Sequence, residues 1–589
     1  MSLVEKINNF YSQYLKKFEP RDDLSKFTPT DNSILQYNEW NASQSENAYA
    51  DLEIENVAHD VVLLAPFEKR RATDATRNTI EKIFHNPTTN ISELFDRQEV
   101  ILELYSNPDL MKQFSSAKIA GDDFKYDERF RDHPDWITQL EKSKLLVNFF
   151  DSVLATDDVK SKRLNKIKSF AKNVNEDSGY KKVHDFIKDI YEPNDLGDAF
   201  AVLTLSLNHD SLYDVDSRRS FFAKSKILRE SLDVLFNDNK YEGFVNKEIN
   251  EVKILDSFDN KVKEYNSFLF KFKEGLREFQ NKHNDDFGKL VSYLGEVLTE
   301  GISSKMGKLG IGDIPELLGF YIGAAKLAKS WENKKAPVVV PELLEKNVRI
   351  TKIIDAYNTT LLAQNDAGKI IPNDIISDPK TNLFVIEGPN NGGKTTYLRH
   401  VGQMYWLTQL GMMIPAKEAK ISVVDGIYTS IGAEDDTDAG TGQYLTELNR
   451  VCEFTKPSNG HMRTTPYSLL FFDEFANGTD HDEAVYRTRI VLDHLSMKGV
   501  TAYFTTHKHE IGKMVEDNLI PGAMNLAAEA KFNGELKTTH KILRNTREKS
   551  YGNVIAENLG ITEDNLKSFL NEELAKGHYS INDTRLGGE

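Results

Sequence analysis

Residues 383–396 constrain the fold more than any other stretch of the chain. Leu383-Phe384-Val385-Ile386-Glu387 is an apolar run without polar alternation, which predicts a strand buried on both faces. It leads straight into Gly388-Pro389-Asn390-Asn391-Gly392-Gly393-Lys394-Thr395-Thr396. That is the G-x-x-x-x-G-K-T spacing of a phosphate-binding loop, in the strand–loop–helix context the motif requires. The glycines let the backbone curl until its N–H groups face the phosphates, and the helix predicted over TTYLRHVGQMYWLTQLG adds the positive end of its dipole. On this reading residues 388–396 bind ATP, Lys394 reaches the β- and γ-phosphates, and the Thr395 hydroxyl ligates Mg2+.

A second run supplies the acids. Ser468-Leu469-Leu470-Phe471-Phe472-Asp473-Glu474 is continuous and apolar until its last two residues, so it predicts a strand in the middle of a parallel sheet. Its carboxyl end emerges where α/β sheets place their ligands. Asp473 then holds magnesium through its water shell, and Glu474 orients and deprotonates the attacking water. A third predicted strand, Val500–Thr505, ends before Thr506 and His507. A histidine there can hydrogen-bond the γ-phosphate or the water and report nucleotide state.

The rest of the chain reads differently. At 589 residues it exceeds the roughly 250–300 residues at which single cores stop growing, so several domains are expected. Residues 51–335 are charged, poor in proline and helical in period. From residue 336 short apolar runs alternate with glycine-rich turns, as in an α/β domain. The change falls at Lys334-Lys335-Ala336-Pro337. Phe258, Val262, Tyr265, Leu269, Phe272, Leu276 and Phe279 alternate spacings of four and three. That is a coiled-coil seam serving either as an arm that carries motion or as the core stripe of a bundle helix. The single cysteine, Cys452, fits a reducing compartment. The N-terminus has no apolar core of a signal peptide, and no stretch reaches the roughly 20 apolar residues that span a bilayer. A cytoplasmic protein without a membrane partner is expected. The net charge of −17 leaves DNA contact to local basic surfaces. The richest is Lys160, Lys162, Arg163, Lys166, Lys168 and Lys172, for which a solvated helix face is the alternative.

The runs GPNNGGKTTYLRHVGQ, IPAKEAKISVVDGIYTSIGAEDD, LLFFDEFANGTDHDEA, TTHKHE and SYGNVIAENLGI together resemble the ATPase domain of the MutS family of DNA mismatch-repair proteins. Residues 94–110 and 314–341 resemble the two ends of that family's lever domain. The resemblance implies an ABC-type P-loop NTPase with a mostly parallel sheet over 336–549, an all-α lever and clamp-like region over 51–335, and a dimerisation-type helical tail over 550–589. Residues 1–50 remain unassigned. The resemblance also implies a homodimer whose nucleotide sites are completed by the partner subunit through Gly440-Thr441-Gly442-Gln443. The family has a serine where this chain has Gly442, which leaves Thr441 or Gln443 as substitutes. An aromatic residue often stacks on adenine where this chain has Ile370, and Asn477 replaces a common arginine. About 50 residues before the lever-like region are too few for the family's mismatch-reading and connector domains. The Phe272-x-Glu274 triplet falls on the heptad stripe and reads as chance, and the segment after His578 is too short for the nuclease domain found on one bacterial branch.

Two functions follow. One is a MutS-like ATPase that clamps mismatched, branched or otherwise structured double-stranded DNA during repair or recombination, with a repair protein as possible partner. The other is a MutS-derived ATPase acting on a protein partner without direct DNA recognition. A transporter-type or chromosome-scaffold ATPase is disfavoured by the absence of a Leu-Ser-Gly-Gly signature before Asp473 and of a long coiled coil between Lys394 and Asp473.

Overall fold

The computed structural model describes residues 43–44, 47–66, 70–126, 136–176, 178–191, 314–432, 443–455, 457–458, 461–462, 464–532, 536–547, 556–557 and 559–577. The heptad stripe 258–279, the Phe272–Glu274 triplet, the Ser550-Tyr551-Gly552 block, and Gly440, Thr441 and Gly442 lie outside the described residues. The chain divides into two compact units. One comprises 1–38, 65–79 and 106–322, and the other 39–64, 80–105 and 323–589.

The first unit is helical where described, with helices Pro108–Tyr126, Trp136–Leu154, Lys162–Glu176 and Ser178–Tyr191. Leu164, Ile167, Phe170, Ala171 and Val174 recur at helical spacing and are buried. They lie along the face that carries Phe170 into an aromatic cluster with Phe150, Phe149 and Tyr180. The basic run in and just before that helix is not simply a solvated face. Lys160, Lys162 and Lys172 are exposed, whereas Arg163 Nη1 donates to Tyr321 Oη at 2.6 Å. Lys168 Nζ donates to the Thr156 and Asp157 carbonyls at 2.7 and 2.9 Å.

This unit also buries a charged cluster. Lys118 bonds Asp122 and Thr76, all three almost fully buried, and Glu316 faces the pair. Burial, with Glu316 adding repulsion, pushes the Asp122 carboxyl up to about 6 against the pull of Lys118. A carboxyl raised on folding contributes stability that is complete below its unfolded pKa and lost as the pH rises through the folded one. Chemical denaturation between about pH 4 and pH 7 should therefore show a decline that Asp122→Asn flattens by about 1–3 kcal/mol. Parallel curves for the two proteins would contradict this account.

The second unit is mixed α/β. In chain order its strands are β1 Ser43–Gln44, β2 Glu342–Leu344, β3 Thr351–Ala356, β4 Asn373–Ser377, β5 Leu383–Glu387, β6 Glu418–Ser422, β7 Gly426–Ser430, β8 Pro457–Ser458, β9 His461–Met462, β10 Ser468–Asp473, β11 Thr501–Thr505, β12 Ala523–Phe532 and β13 Leu536–Arg544. Seven form one sheet in the order β1-β7-β10-β11-β5-β12-β13. Every neighbouring pair in it is parallel except β12 with β13. The central strands are apolar throughout because helices cover both faces. Phe472 stacks on Phe504, and Tyr503 lies between Phe384 and Phe471. A four-stranded sheet, β2-β6-β3-β4, stands beside it. Helix Ile91–Ser106 belongs to this unit. Its buried Arg97 donates to the Leu410 carbonyl at 3.2 Å, and Gln98 donates to the Pro341 carbonyl at 3.0 Å. Among the described residues no helix is long and apolar enough to cross a membrane.

Candidate nucleotide site

Three parallel neighbours, β5, β11 and β10, end at the same edge of the sheet. Their registers pair Ile386 with Thr505, and Thr505 with Asp473. Beyond β5 the chain enters the glycine loop, beyond β11 it reaches His507, and beyond β10 it reaches Glu474. Loops that follow adjacent parallel strands necessarily meet above the sheet edge.

The glycine loop is tightly built. A Cβ on Gly388 would lie 2.6 Å from the Ala528 Cβ, and one on Gly392 would lie 2.8 Å from the Pro389 carbonyl. Asn391 and Gly393 have φ of 62° and 92°. Helix Lys394–Thr408 then begins on Gly393 without a side-chain cap. An uncapped helix start behind a curled loop leaves its first N–H groups to serve an anion. The Lys394 side chain is buried, and its Nζ lies 2.9 Å from the Gly388 carbonyl, 3.4 Å from that of Pro389 and 3.0 Å from His507 Nε2.

Thr395 Oγ1 donates to the Asp473 carboxylate, 2.9 Å from Oδ2 and 3.1 Å from Oδ1. Thr505 also donates to Asp473 and accepts the Glu474 N–H at 2.9 Å. A hydroxyl and a carboxylate side by side form a hard oxygen pair, which suits magnesium. Among the described residues no group of three or more His, Cys, Asp or Glu could hold a metal ion, so a metal assignment rests on this pair alone.

Glu474 and Ala476 follow β10 in left-handed conformations, φ 52° and 63°. Non-glycine residues keep that geometry only where neighbours enforce it. Here Ala476 N–H donates to Glu447 Oε2 at 2.7 Å, and Lys508 donates to the Phe475 carbonyl and to Asn477 Oδ1. The turn aims the Glu474 side chain back over the sheet edge. Its Oε2 accepts Asn477 Nδ2 at 2.7 Å and its Oε1 lies 2.9 Å from His507 Nε2. The hydrogen bond from His507 is the main influence holding the Glu474 carboxyl below its ordinary pKa, with Lys394 adding to it. One ring nitrogen of His507 thus stands between two groups. As an acceptor it receives a hydrogen bond from Lys394, and as a donor it gives one to Glu474, so its tautomer decides which contact is made.

The sequence missed three features here. Ile370 is buried at 7% exposure, while the next residue, Ile371, is 46% exposed. His540, on a β13 bulge at φ 60°, brings its Nδ1 within 3.4 Å of where a Gly393 Cβ would be. Asn373 ties the two together by donating to the Ile371 and His540 carbonyls. Only a hairpin register could have revealed that histidine, and the strand pattern alone carries none. The third feature is Glu387, the last residue of β5 and only 1% exposed. It accepts Arg547 Nε at 3.2 Å, and Arg547 also bonds Glu516 and the His509 carbonyl. Arg547→Ala strands a buried carboxylate and should cost about 3 kcal/mol in urea unfolding. An unchanged midpoint would mean that Glu387 is stabilised by other groups.

Gln443 opens helix Gln443–Thr455. Asn477, in place of the common arginine, contacts Glu474 directly.

Comparison with known proteins bears on the C-terminal region. A family profile described as MutS domain V matches residues 384–572. The DNA mismatch repair protein MutS of Caldicellulosiruptor bescii is 36% identical over 205 residues, 34% of this chain and 23% of that protein. The MutS of Lysinibacillus sphaericus is 30% identical over 220 residues, 37% and 25% of the two chains. The MutS of Streptococcus thermophilus is 33% identical over 196 residues, 33% and 22% of the two chains. The match spans about a quarter of these relatives' own length.

Proposed function

We propose that the chain is a shortened member of the MutS family, which its match to MutS domain V over residues 384–572 supports, and that residues 336–549 are a P-loop ATPase domain that binds and hydrolyses Mg-ATP. On this reading turnover is coupled to binding of mismatched, branched or otherwise structured DNA by a cytoplasmic homodimeric clamp acting in DNA repair. Residues 51–335 supply the lever and clamp-like part. The observation that carries the reading is the convergence of Lys394, Thr395, Asp473, Glu474 and His507 at the ends of three adjacent parallel strands.

Lys394 and the start of its helix hold the β- and γ-phosphates. Thr395 and Asp473 hold the magnesium ion, directly or through its water shell. Held there, magnesium would supply neutralisation of the phosphate charge. Glu474, ionised and fixed by Asn477 and His507, orients water and accepts its proton. His507 passes between Lys394 and Glu474 according to its tautomer. We assign the base and ribose end of the nucleotide to Ile370, its exposed neighbour Ile371 and the exposed His540. Helix Glu563–Ala575 has no buried residue, and Leu559, Ile561, Leu566 and Phe569 are exposed. That surface supports assigning 550–589 to dimerisation.

The test is steady-state ATP hydrolysis with and without mismatched, branched, single-stranded and plain duplex DNA. A gel-shift competition in a non-hydrolysable analogue runs beside it. Stimulation by one DNA class supports the clamp. Hydrolysis without any binding at low salt turns the reading to a protein partner, consistent with the net charge of −17. No hydrolysis under any condition rejects both.

A further inference from the structure

The short segment 43–53 is fastened to three elements of the nucleotide unit at once. β1 runs parallel beside β7, and helix Ala48–Asp51 follows it. Asp51 Oδ2 accepts Thr429 Oγ1 at 2.6 Å, on β7, and Arg450 Nη1 at 3.3 Å, on helix Gln443–Thr455. The Asp51 backbone carbonyl accepts Arg399 Nε at 3.1 Å, on helix Lys394–Thr408, while Arg399 Nη1 pairs with Glu53 Oε1 at 2.8 Å. Leu52 is fully buried against Gly402, where a Cβ would come within 2.4 Å of it, and its carbonyl accepts Gln403 Nε2 at 3.0 Å. The Asp51 side chain is 12% exposed.

Both helices gripped in this way serve the site. Arg399 sits about one turn beyond Lys394 and Thr395. Arg450 shares its helix with Glu447, three residues earlier, on an adjoining face. Glu447 accepts the Ala476 N–H and so braces the left-handed turn that aims Glu474. A path therefore runs from the helix carrying Lys394, through Arg399 and Asp51, to Arg450, and from there along the same helix to Glu447 and the Glu474 turn.

We propose that Asp51 is a positioning residue for hydrolysis, a bracket that sets the helix presenting the phosphate-binding side chains against the helix bracing the general base. This rests on the ATPase reading above. Only the Asp51 backbone carbonyl meets Arg399, whereas its side chain holds Thr429 and Arg450, so changing the side chain acts on the brace of Glu474 and leaves the grip on the helix of Lys394 in place. Turnover and nucleotide affinity should therefore separate.

The full chain, Asp51→Asn, Asp51→Ala, Glu447→Met and the double variant Asp51→Asn/Glu447→Met are compared. Hydrolysis kinetics are read alongside calorimetry with a non-hydrolysable Mg-ATP analogue. Asp51→Asn is expected to lower kcat about five- to tenfold while the dissociation constant stays within about twofold. The double variant should be no slower than its slower parent, because both changes release the same brace. Multiplicative losses in the double variant, or affinity lost in step with kcat, would overturn the proposal. If Asp51→Ala does not fold, Asp51→Asn, which keeps the shape and an acceptor for Thr429, carries the test. A full rate in Asp51→Asn with an active unaltered chain removes the proposal alone, whereas no hydrolysis by the unaltered chain removes the ATPase reading with it.

Discussion

Glu474→Gln is expected to bind Mg-ATP as tightly as the unaltered protein and to hydrolyse it about 10²–10⁴-fold more slowly. The substitution keeps the size of the side chain and an oxygen that can accept from Asn477 or His507, so the strained turn should survive. What disappears is the negative charge that takes a proton from water. The His507 hydrogen bond holds the Glu474 carboxyl below its ordinary range, so the group stays ionised well into acid. A depressed carboxyl is a weak base at rest, and its effect comes from orienting the water and accepting the proton as the bond to phosphorus forms. The acid limb of the kcat profile attributable to Glu474 should therefore lie below the ordinary glutamate pKa, provided His507 remains its partner. Single-turnover kinetics with the Gln variant measures the first effect. A rate equal to that of the unaltered chain would move the base elsewhere.

The two readings of His507 separate in the same experiment. If Nε2 accepts from Lys394 during turnover, Glu474→Gln leaves the lysine contact at 3.0 Å intact. If Nε2 donates to Glu474, the amide can still accept, but without charge assistance the bond weakens by roughly half. In the second case His507→Asn should slow the unaltered enzyme far more than it slows the Gln variant.

What the sequence made legible was what strand burial and glycine geometry impose locally. The strand Leu383–Glu387 has the bounds its apolar run predicts, and those ending at Asp473 and Thr505 end where polar residues begin. Each run is apolar because both sheet faces are covered, so its polar end marks the sheet edge. The docking of residues 43–53 was not legible. β1 has only two residues, and its place beside β7 depends on Asp51 finding Thr429 and Arg450 some 380–400 positions away. Non-local contacts of that kind leave no periodic trace. The contrast in exposure between Ile370 and Ile371 has the same origin. Both are apolar neighbours, and only the short turn Ala367–Lys369 decides which one points inward. His540 escaped because a bulge breaks the alternation that would have assigned its face.

Lys394→Ala is the sharper companion test, because it should abolish binding where Glu474→Gln spares it. The Lys394 side chain is nearly buried, and its Nζ donates to the Gly388 and Pro389 carbonyls and lies 3.0 Å from the His507 imidazole. Glu474 Oε1 lies farther off, at 3.8 Å. A cation held at the mouth of this loop can bind a triphosphate through charge-assisted hydrogen bonds. Removing the side chain should weaken Mg-ATP by about 3 kcal/mol or more, a hundredfold or greater rise in dissociation constant by calorimetry. The loop should keep its course, since its turns are set by Asn391, Gly392 and Gly393 and by the contact of Gly388 with Ala528. Thermal unfolding of the variant without nucleotide should therefore stay close to that of the unaltered chain. Lys394→Arg should not rescue binding, because a planar fork is too broad for a space bounded by the Gly388 and Pro389 carbonyls. Full affinity in Lys394→Ala would mean that the phosphates lie somewhere other than this loop, and the placement of Glu474 over the sheet edge would then need another substrate to explain it.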